Sequence, residues 1–530
     1  MRALLLAAAL CGCGTPVLGI QVTLLTKACP DAPAALAPSS GVTQLRISLS
    51  GDGLTSQTST VPFASGTAQI PDVPVGTNRR LTVDALAGDR VRAHADSGKF
   101  DASGPADVHL TLFLRSVDAF TPTSDASGAC SRMVTPRAGH AMALLPDGRV
   151  LITGGFSNDG STPPKLVYHS DAELFDPQSG QFMALSPSPT LRRAGHSALP
   201  VILPSGAAVL LAGGEGPDES GTGPVGAVKP LELLVGSAWT ELTPPLTSPS
   251  RSHAAAAVDL RTGAAVLAGG QSDESGSTVY DSVTWFDPAA NAVHESATAL
   301  RAGQLSDAVA VARANLSGKA SLGGVVLVGG RDGTGKVSAQ ISGLIWGPSP
   351  AGGLDFIDDV TFKGAQWQLP SPRALHVALR TVDDLVLTAG GVTSLVKGAF
   401  NDYSSATAEI TLVDPLGGQV ANLTGTLSQA RADACGVLLE DGSALIAGGA
   451  WQDAGGLHSA KNVDLIGTDR SVRTAAGPDS LPNSGVLTAA RHRAACIRLL
   501  DGSVLITGGL QAAASGGATV LDTAEIYQPL

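Results

Sequence analysis

Hydrophobic and polar positions along most of this chain fall into one recurring figure. The stretch RAGHAMALLPDGRVLITGG, residues 137–155, shows it: an apolar run, a tight turn, a second apolar run, then two glycines. His140 to Leu145 reads as one strand and Arg149 to Thr153 as the next, joined by Pro146-Asp147-Gly148. Asp-Gly favours the hairpin turn whose twist matches the strands it joins. Glu440-Asp441-Gly442 and Leu500-Asp501-Gly502 stand at the same place further on. The second strand is apolar at consecutive positions, which marks a strand covered on both faces.

The figure occurs seven times. Doublets close it at Gly154-Gly155, Gly213-Gly214, Gly269-Gly270, Gly329-Gly330, Gly390-Gly391, Gly448-Gly449 and Gly508-Gly509. An arginine opens each copy: Arg137, Arg193, Arg251, Arg301, Arg373, Arg431 and Arg491. Further on, Ala172-Glu173-Leu174-Phe175-Asp176-Pro177, Trp285-Phe286-Asp287-Pro288, Leu412-Val413-Asp414-Pro415 and Ala524-Glu525-Ile526-Tyr527-Gln528-Pro529 supply a strand and turn. Four strands per copy predict an all-β fold, a seven-bladed β-propeller, in which ring closure shields both faces of every sheet and most edges. The seventh copy stops after its third strand, so residues 129–134 are expected to supply the fourth and close the ring.

Residues 21–118 lack the doublet. Their alternating runs, such as Thr43 to Ser48, Arg80 to Asp84 and Val108 to Leu114, read as a small β-sandwich, Ig- or fibronectin-like. Ala119 to Gly128 reads as the link to a propeller spanning 126–530.

The arginine and histidine at the start, the doublet and the downstream aromatic-Asp-Pro together resemble kelch repeats, in the longer form of galactose-oxidase-like propellers. The resemblance covers residues 126–530. Copy four departs most: it lacks the histidine and has a long first hairpin, and its outer strands near Ile345-Trp346 and Gln366-Trp367 are hard to place.

The first residues, MRALLLAAALCGCG, read as a targeting segment over 1–12, with Arg2 ahead of an apolar run too short to span a bilayer. Leu10-Cys11-Gly12-Cys13 resembles a bacterial lipobox, which implies lipidation at Cys13 and an outer-membrane or cell-surface lipoprotein. The atypical Cys11 leaves an ordinary signal peptide, with a periplasmic or secreted product, as the alternative. Export permits disulfides among Cys29, Cys130, Cys435 and Cys496. Cys435 stands four after Arg431 and Cys496 five after Arg491, so the two point to opposite faces of their own sheets. Adjacent blades present opposite faces, so the pair can meet across the six–seven interface; Cys29 and Cys130 then tie sandwich to propeller. Buried free thiols are the alternative.

The chain has 530 residues, 43% hydrophobic and 15% charged, with 64 glycines and 33 prolines, a balance that suits many short strands. A net charge of -12 without a basic run excludes a nucleic-acid partner.

The arginines begin the innermost strands and are candidates for a ring at one channel mouth, where they would hold an acidic ligand. The competing reading is that each fixes a loop through carbonyls or a carboxylate. Repetition favours the second, since a scaffold preserves symmetry and a site breaks it. His140, His196, His253 and His376 lie near matched positions, too far apart around a ring to share a zinc ion. The resemblance to galactose oxidase invites copper-radical chemistry, but Tyr168, Tyr280, Tyr403 and Tyr527 sit in no ligand motif. No nucleophile elbow, phosphate loop or HExxH occurs. Asp218-Glu219, Asp273-Glu274 and Asp358-Asp359 offer oxygens for calcium, although solvated acidic loops are commoner; no other cofactor is expected. The expectation is a non-enzymatic binding, adhesion or scaffold module for carbohydrate or protein. The alternative is a galactose-oxidase-like or epimerase-type sugar-modifying enzyme at the channel mouth. Unlike polar side chains converging there favour the enzyme, and repeated small residues favour binding.

Overall fold

This computed structural model describes residues 40–529 apart from short stretches, the longest being 64–72, 218–224, 243–248, 314–323, 359–366, 396–401 and 476–484. Ahead of residue 40 it describes 4–6, 17–18, 20–26 and 29. No α-helix occurs among the described residues.

The N-terminal region builds a five-stranded sheet in the order Arg115–Ser116, Arg90–Ala102, Gly76–Ala87, Gln44–Gly51, Leu54–Pro62. Strict alternation makes it: along Gln44–Gly51, Leu45, Ile47 and Leu49 are buried while Arg46 and Ser48 are not. Those three share a core with Val83 and Ala93 of the same sheet. Val22, Leu24 and Leu112 reach that core from a second, three-stranded sheet of Leu4–Leu6, Ile20–Leu25 and Val108–Phe113. Residues 1–12 were expected to be outside the fold, yet Leu4–Leu6 pairs antiparallel with Val22–Leu24, because Ile20–Leu25 has an open edge beside which an extended segment can bond. Cys13 lies outside the described residues.

From residue 119 onward the described residues form seven four-stranded antiparallel sheets, linked in places by two-stranded hairpins. Their inner strands are Ala141–Leu144, Ser197–Leu203, Ala255–Val258, Val309–Ala312, Val377–Arg380, Cys435–Leu438 and Ala495–Arg498. Each touches the next, and the last touches the first, so they close a circle. The arrangement is propeller-like. Second strands such as Val150–Thr153, Val325–Val328 and Val504–Thr507 are buried at every position, as sheets covered on both sides require. Each such Val, Leu or Ile contributes about 1.5–3 kcal/mol of burial.

The doublets stand where neighbouring sheets approach most closely. Gly155 has φ +88°, and a Cβ there would press the Ala138 carbonyl at 2.8 Å. Its amide meanwhile donates to the Arg193 carbonyl of the next sheet at 2.8 Å. Only glycine satisfies both demands.

The closing strand differs from the expected one. Ala119–Pro122, read as a linker, pairs antiparallel with Ala524–Gln528 and completes the seventh sheet. Residues 129–134 make only isolated bridges, Ser124 to Cys130 and Arg132 to Thr523. The reason is packing: Phe120 buries its ring 5.2 Å from that of Tyr527, whereas Ser131 and Arg132 have no apolar face to offer. Cys29 is joined to Cys130, and Cys435 to Cys496 across the seam between the sixth and seventh sheets.

Candidate functional site

Six of the seven candidate arginines are buried in the wall of the circle. Arg137, Arg193, Arg251, Arg373, Arg431 and Arg491 have side chains 0–3% exposed. Each meets a carboxylate: Arg137 with Glu173 at 2.6 Å, Arg193 with Glu232 at 2.9 Å, and Arg251 with Glu295 at 3.2 Å. Arg373 meets Glu409 at 2.8 Å, Arg431 meets Asp464 at 2.8 Å and Arg491 meets Glu525 at 2.6 Å. The guanidinium also donates to the first doublet carbonyl, Gly154 for Arg137 and Gly508 for Arg491, both at 2.7 Å. Glu173 accepts two further amides, from Val134 and Thr135. A charge pair so fully bonded can be buried without a large penalty. These groups have no room for an acidic ligand; they fasten strands.

The carboxylate partners have a sequence signal. Glu173, Glu232, Asp464 and Glu525 each take the second position of a third strand, the first polar place in a mostly apolar run. Thr284 and Thr411 stand there in the third and fifth sheets, and the carboxylate comes instead from Glu295 and Glu409.

Arg301 lies outside the described residues. In six of the seven copies the amide of the second doublet glycine donates to the carbonyl of the next sheet's opening residue, as Gly155 does to Arg193 and Gly391 to Arg431. Gly270 donates to Leu305, at 2.7 Å. Leu305 is buried, and the matching third-strand position is Ser342, so these two places are both uncharged in the fourth sheet.

Two residues past each opening position the picture changes. Gly139, Gly195, His253, Asp307, Leu375, Asp433 and Arg493 all have positive φ, between 49° and 61°. Sheet-to-sheet bonds impose it: Gly195 donates to Gly139, Gly139 to Arg493, Arg493 to Asp433, Asp433 to Leu375 and Asp307 to His253, at 2.8–3.1 Å. Glycine is the easy residue for such a position, yet five of the seven carry side chains. These residues line a rim at one end of the circle. Beside them stand the residues that follow the doublets, among them Glu215, Gln271 and Arg331, bridged to the same segments.

The rim side chains converge in two groups. His253 Nδ1 meets Asp307 at 2.6 Å, and its Nε2 lies 3.5 Å from Glu215, which accepts from the Tyr168 hydroxyl at 3.3 Å. Asp307 also pairs with Arg331, which donates to Gln271 at 3.1 Å. In the second group the Tyr403 hydroxyl donates to Asp433 at 2.6 Å, and Arg493 Nε donates to the same oxygen at 3.0 Å. The His492 ring meets the edge of Tyr403 at 5.7 Å. Rim groups keep a share of solvent, 22% for His253 and 21% for Arg493.

Burial alone would push His253 down, but Asp307, with Glu215 behind it, lifts it to about 10. Burial would raise Asp307; His253 and Arg331 hold it well below the usual carboxylate range. Burial and Asp433 raise Tyr403. Burial, helped by the nearby Arg493 charge, lowers His492 to about 4. All four are moved away from neutrality.

The other candidate histidines are structural in their contacts. His140 Nε2 bonds Thr507 at 2.8 Å and His196 Nε2 bonds Thr153 at 2.9 Å, each on the preceding sheet. His376 faces Gly329, where the preceding strand ends in Val328, and neither of its ring nitrogens has a hydrogen-bond partner among the described residues. Asp218-Glu219, Asp273-Glu274 and Asp359 lie outside the described residues; Asp358 ends the strand Leu354–Asp358. Among the described residues no group of three or more His, Cys, Asp or Glu is placed to hold a metal ion. A crevice of about 580 Å³ separates Arg80 to Asp101 of the N-terminal sheet from the turns at Asp147, Asp176 and Asp501.

Fold and rim together define an all-β protein of propeller-like, four-stranded sheets with a polar cluster at one end of their ring. No family model matches the chain, and no curated protein matches it. A solved structure described as "Structure of YjhT" is similar at a TM-score of 0.43 and 16% identity, over 65% of this chain and 98% of that one.

Proposed function

We propose that the chain is an exported seven-bladed β-propeller of the kelch type, preceded by a small β-sandwich and tethered through a lipid on Cys13. In this reading it is a non-enzymatic binding module that seats a carbohydrate, or a carbohydrate-bearing protein, on the rim. One observation carries it: the rim is where the repeat stops repeating. Five residues hold left-handed backbone with side chains attached, although glycine would cost less. Three formal cations (His253, Arg331 and Arg493) face three carboxylates (Glu215, Asp307 and Asp433). A balanced ring of donors and acceptors suits a neutral polyhydroxylated ligand better than an anion or a nucleic acid.

The convergence of unlike side chains favours a second reading, a sugar-modifying enzyme at the same place. Against it stand the shifted groups, none of which moves toward the neutral range where a general acid or base works best. Glycan and protein-partner arrays probed with the purified chain, with and without chelator, test both. Binding that disappears in Asp433→Ala and Arg493→Ala supports the rim, and binding unchanged in both removes it. Turnover of an array-positive sugar, followed by NMR, would move the chain to the enzyme reading.

A further inference from the structure

We infer that the Cys435–Cys496 disulfide is a positioning clamp for one half of the rim, so that assembly of the ligand seat depends on oxidation. The inference rests on the rim being the seat. Asp433 and Arg493 sit on opposite sides of the seam between the sixth and seventh sheets, joined by an ion pair at 3.0 Å and by the Arg493 amide donating to the Asp433 carbonyl at 3.0 Å. Cys435 follows Asp433 by two residues and Cys496 follows Arg493 by three, and their Cα atoms are 5.9 Å apart. One covalent bond therefore ties the two backbones that must present this carboxylate and this guanidinium to each other. Both cysteines pack in a single apolar cluster with Leu445, Val504 and Ile506, so the clamp belongs to the seam rather than to a loose surface loop.

Among the described residues no other seam between these sheets carries a disulfide. Between the seventh and first sheets, His140 bonds Thr507; between the first and second, His196 bonds Thr153. At the six–seven seam the histidine's place is taken by Ala494 and the threonine's by Ala447. Alanines also fill both places at the two–three, three–four and five–six seams, so the missing brace is not particular to this seam; the disulfide is. Formation is an ordinary exchange: the two thiols give two electrons and two protons to an external disulfide, which leaves as two thiols. In a reducing compartment the Asp433–Arg493–Tyr403 group would be held only by its own hydrogen bonds, and in an oxidising one it is locked.

Native-state amide exchange on the full chain tests this without any ligand. Wild type is compared with Cys435→Ala/Cys496→Ala, which leaves Cys29–Cys130 intact, and with wild type treated with a dithiol in case the double variant does not fold. Expected is exchange faster by about tenfold or more in peptides covering 431–438 and 491–498, with 137–144 and 193–199 unchanged. Unchanged exchange at the seam, or an equal rise around the whole circle, overturns the clamp. Loss of selective protection together with intact glycan binding overturns it as well. Should exchange respond as expected while no array ligand depends on Arg493, the clamp stands and the proposed seat falls.

Discussion

Arg491 and Arg493 are two residues apart, and they belong to different parts of the molecule. Arg491 is fully buried, bonded to Glu525 and to the Gly508 carbonyl, and its counterparts recur in five other sheets. Arg493 is one-fifth exposed, shares an oxygen of Asp433 with Tyr403, and corresponds to Gly139 and Gly195 elsewhere in the circle. One position answers to the geometry that all sheets share. The other is free of that demand, since the backbone alone makes the ring bonds there, and its side chain can differ from sheet to sheet. The distinction between scaffold and site is therefore drawn within a single turn of chain.

The largest effect should come from breaking a wall pair. Arg491→Ala leaves Glu525 buried without its cation, a loss of about 3–5 kcal/mol. The fourth sheet shows the remedy: Arg491→Leu with Glu525→Ser copies Leu305 and Ser342, and chemical denaturation should find most of the loss restored. A double variant as unstable as the single would mean the pairs act as more than fasteners.

Protons separate the wall histidines from His253 of the rim next; His492, also in the rim, shifts in the same direction as the wall. His140 and His376 are lowered to about 3, and His196 falls well below its usual value, chiefly by burial. Unfolded histidine binds its proton near pH 6.5, so below that pH the unfolded chain takes up protons that these three refuse. Stability should drop as pH falls from 6.5 toward 3, by about 1.4 kcal/mol per pH unit for each. His253 has the opposite sign. Its folded value is raised, so its contribution is present below pH 6.5 and is lost as pH rises through about 10. His376→Leu should flatten the acid limb alone and His253→Gln the alkaline limb alone, as denaturation curves across pH would show.

Much of the wall was legible in the sequence because it repeats. The doublets, the Asp-Gly turns and the twice-apolar second strands each state a local demand that every sheet must meet. The rim was not legible, for the same reason inverted: His253, Asp307, Leu375, Asp433 and Arg493 share a backbone conformation but no single residue type. Leu305 escaped notice because an arginine, Arg301, stands four residues before it, and spacing alone cannot say which of the two carries the ring bond. Ala119–Pro122 reads as a linker from sequence because its partner, Ala524–Gln528, lies at the far end of the chain.

A smaller gain is expected where the histidine brace is incomplete. His376 lies against Gly329, next in the chain to Val328, while His140 and His196 bond threonines. Val328→Thr would give the His376 ring a hydroxyl and should stabilise the chain by about 1 kcal/mol. No gain would show that the braces of His140 and His196 also contribute nothing.

The smallest change in stability should accompany the largest change in binding. Arg493→Gly removes a partly exposed ion pair, worth about 0–1 kcal/mol. It also relieves a left-handed residue of its side chain, a gain of about 1 kcal/mol. The two nearly cancel, so denaturation should move by less than about 1 kcal/mol. If the rim is the ligand seat, affinity for an array-positive glycan should nevertheless collapse, whereas the Arg491→Leu/Glu525→Ser variant two residues away should bind as wild type does. The opposite outcome, binding lost with the repaired wall and kept with the altered rim, would place the ligand on the symmetric part of the circle and reverse the division drawn between these two arginines.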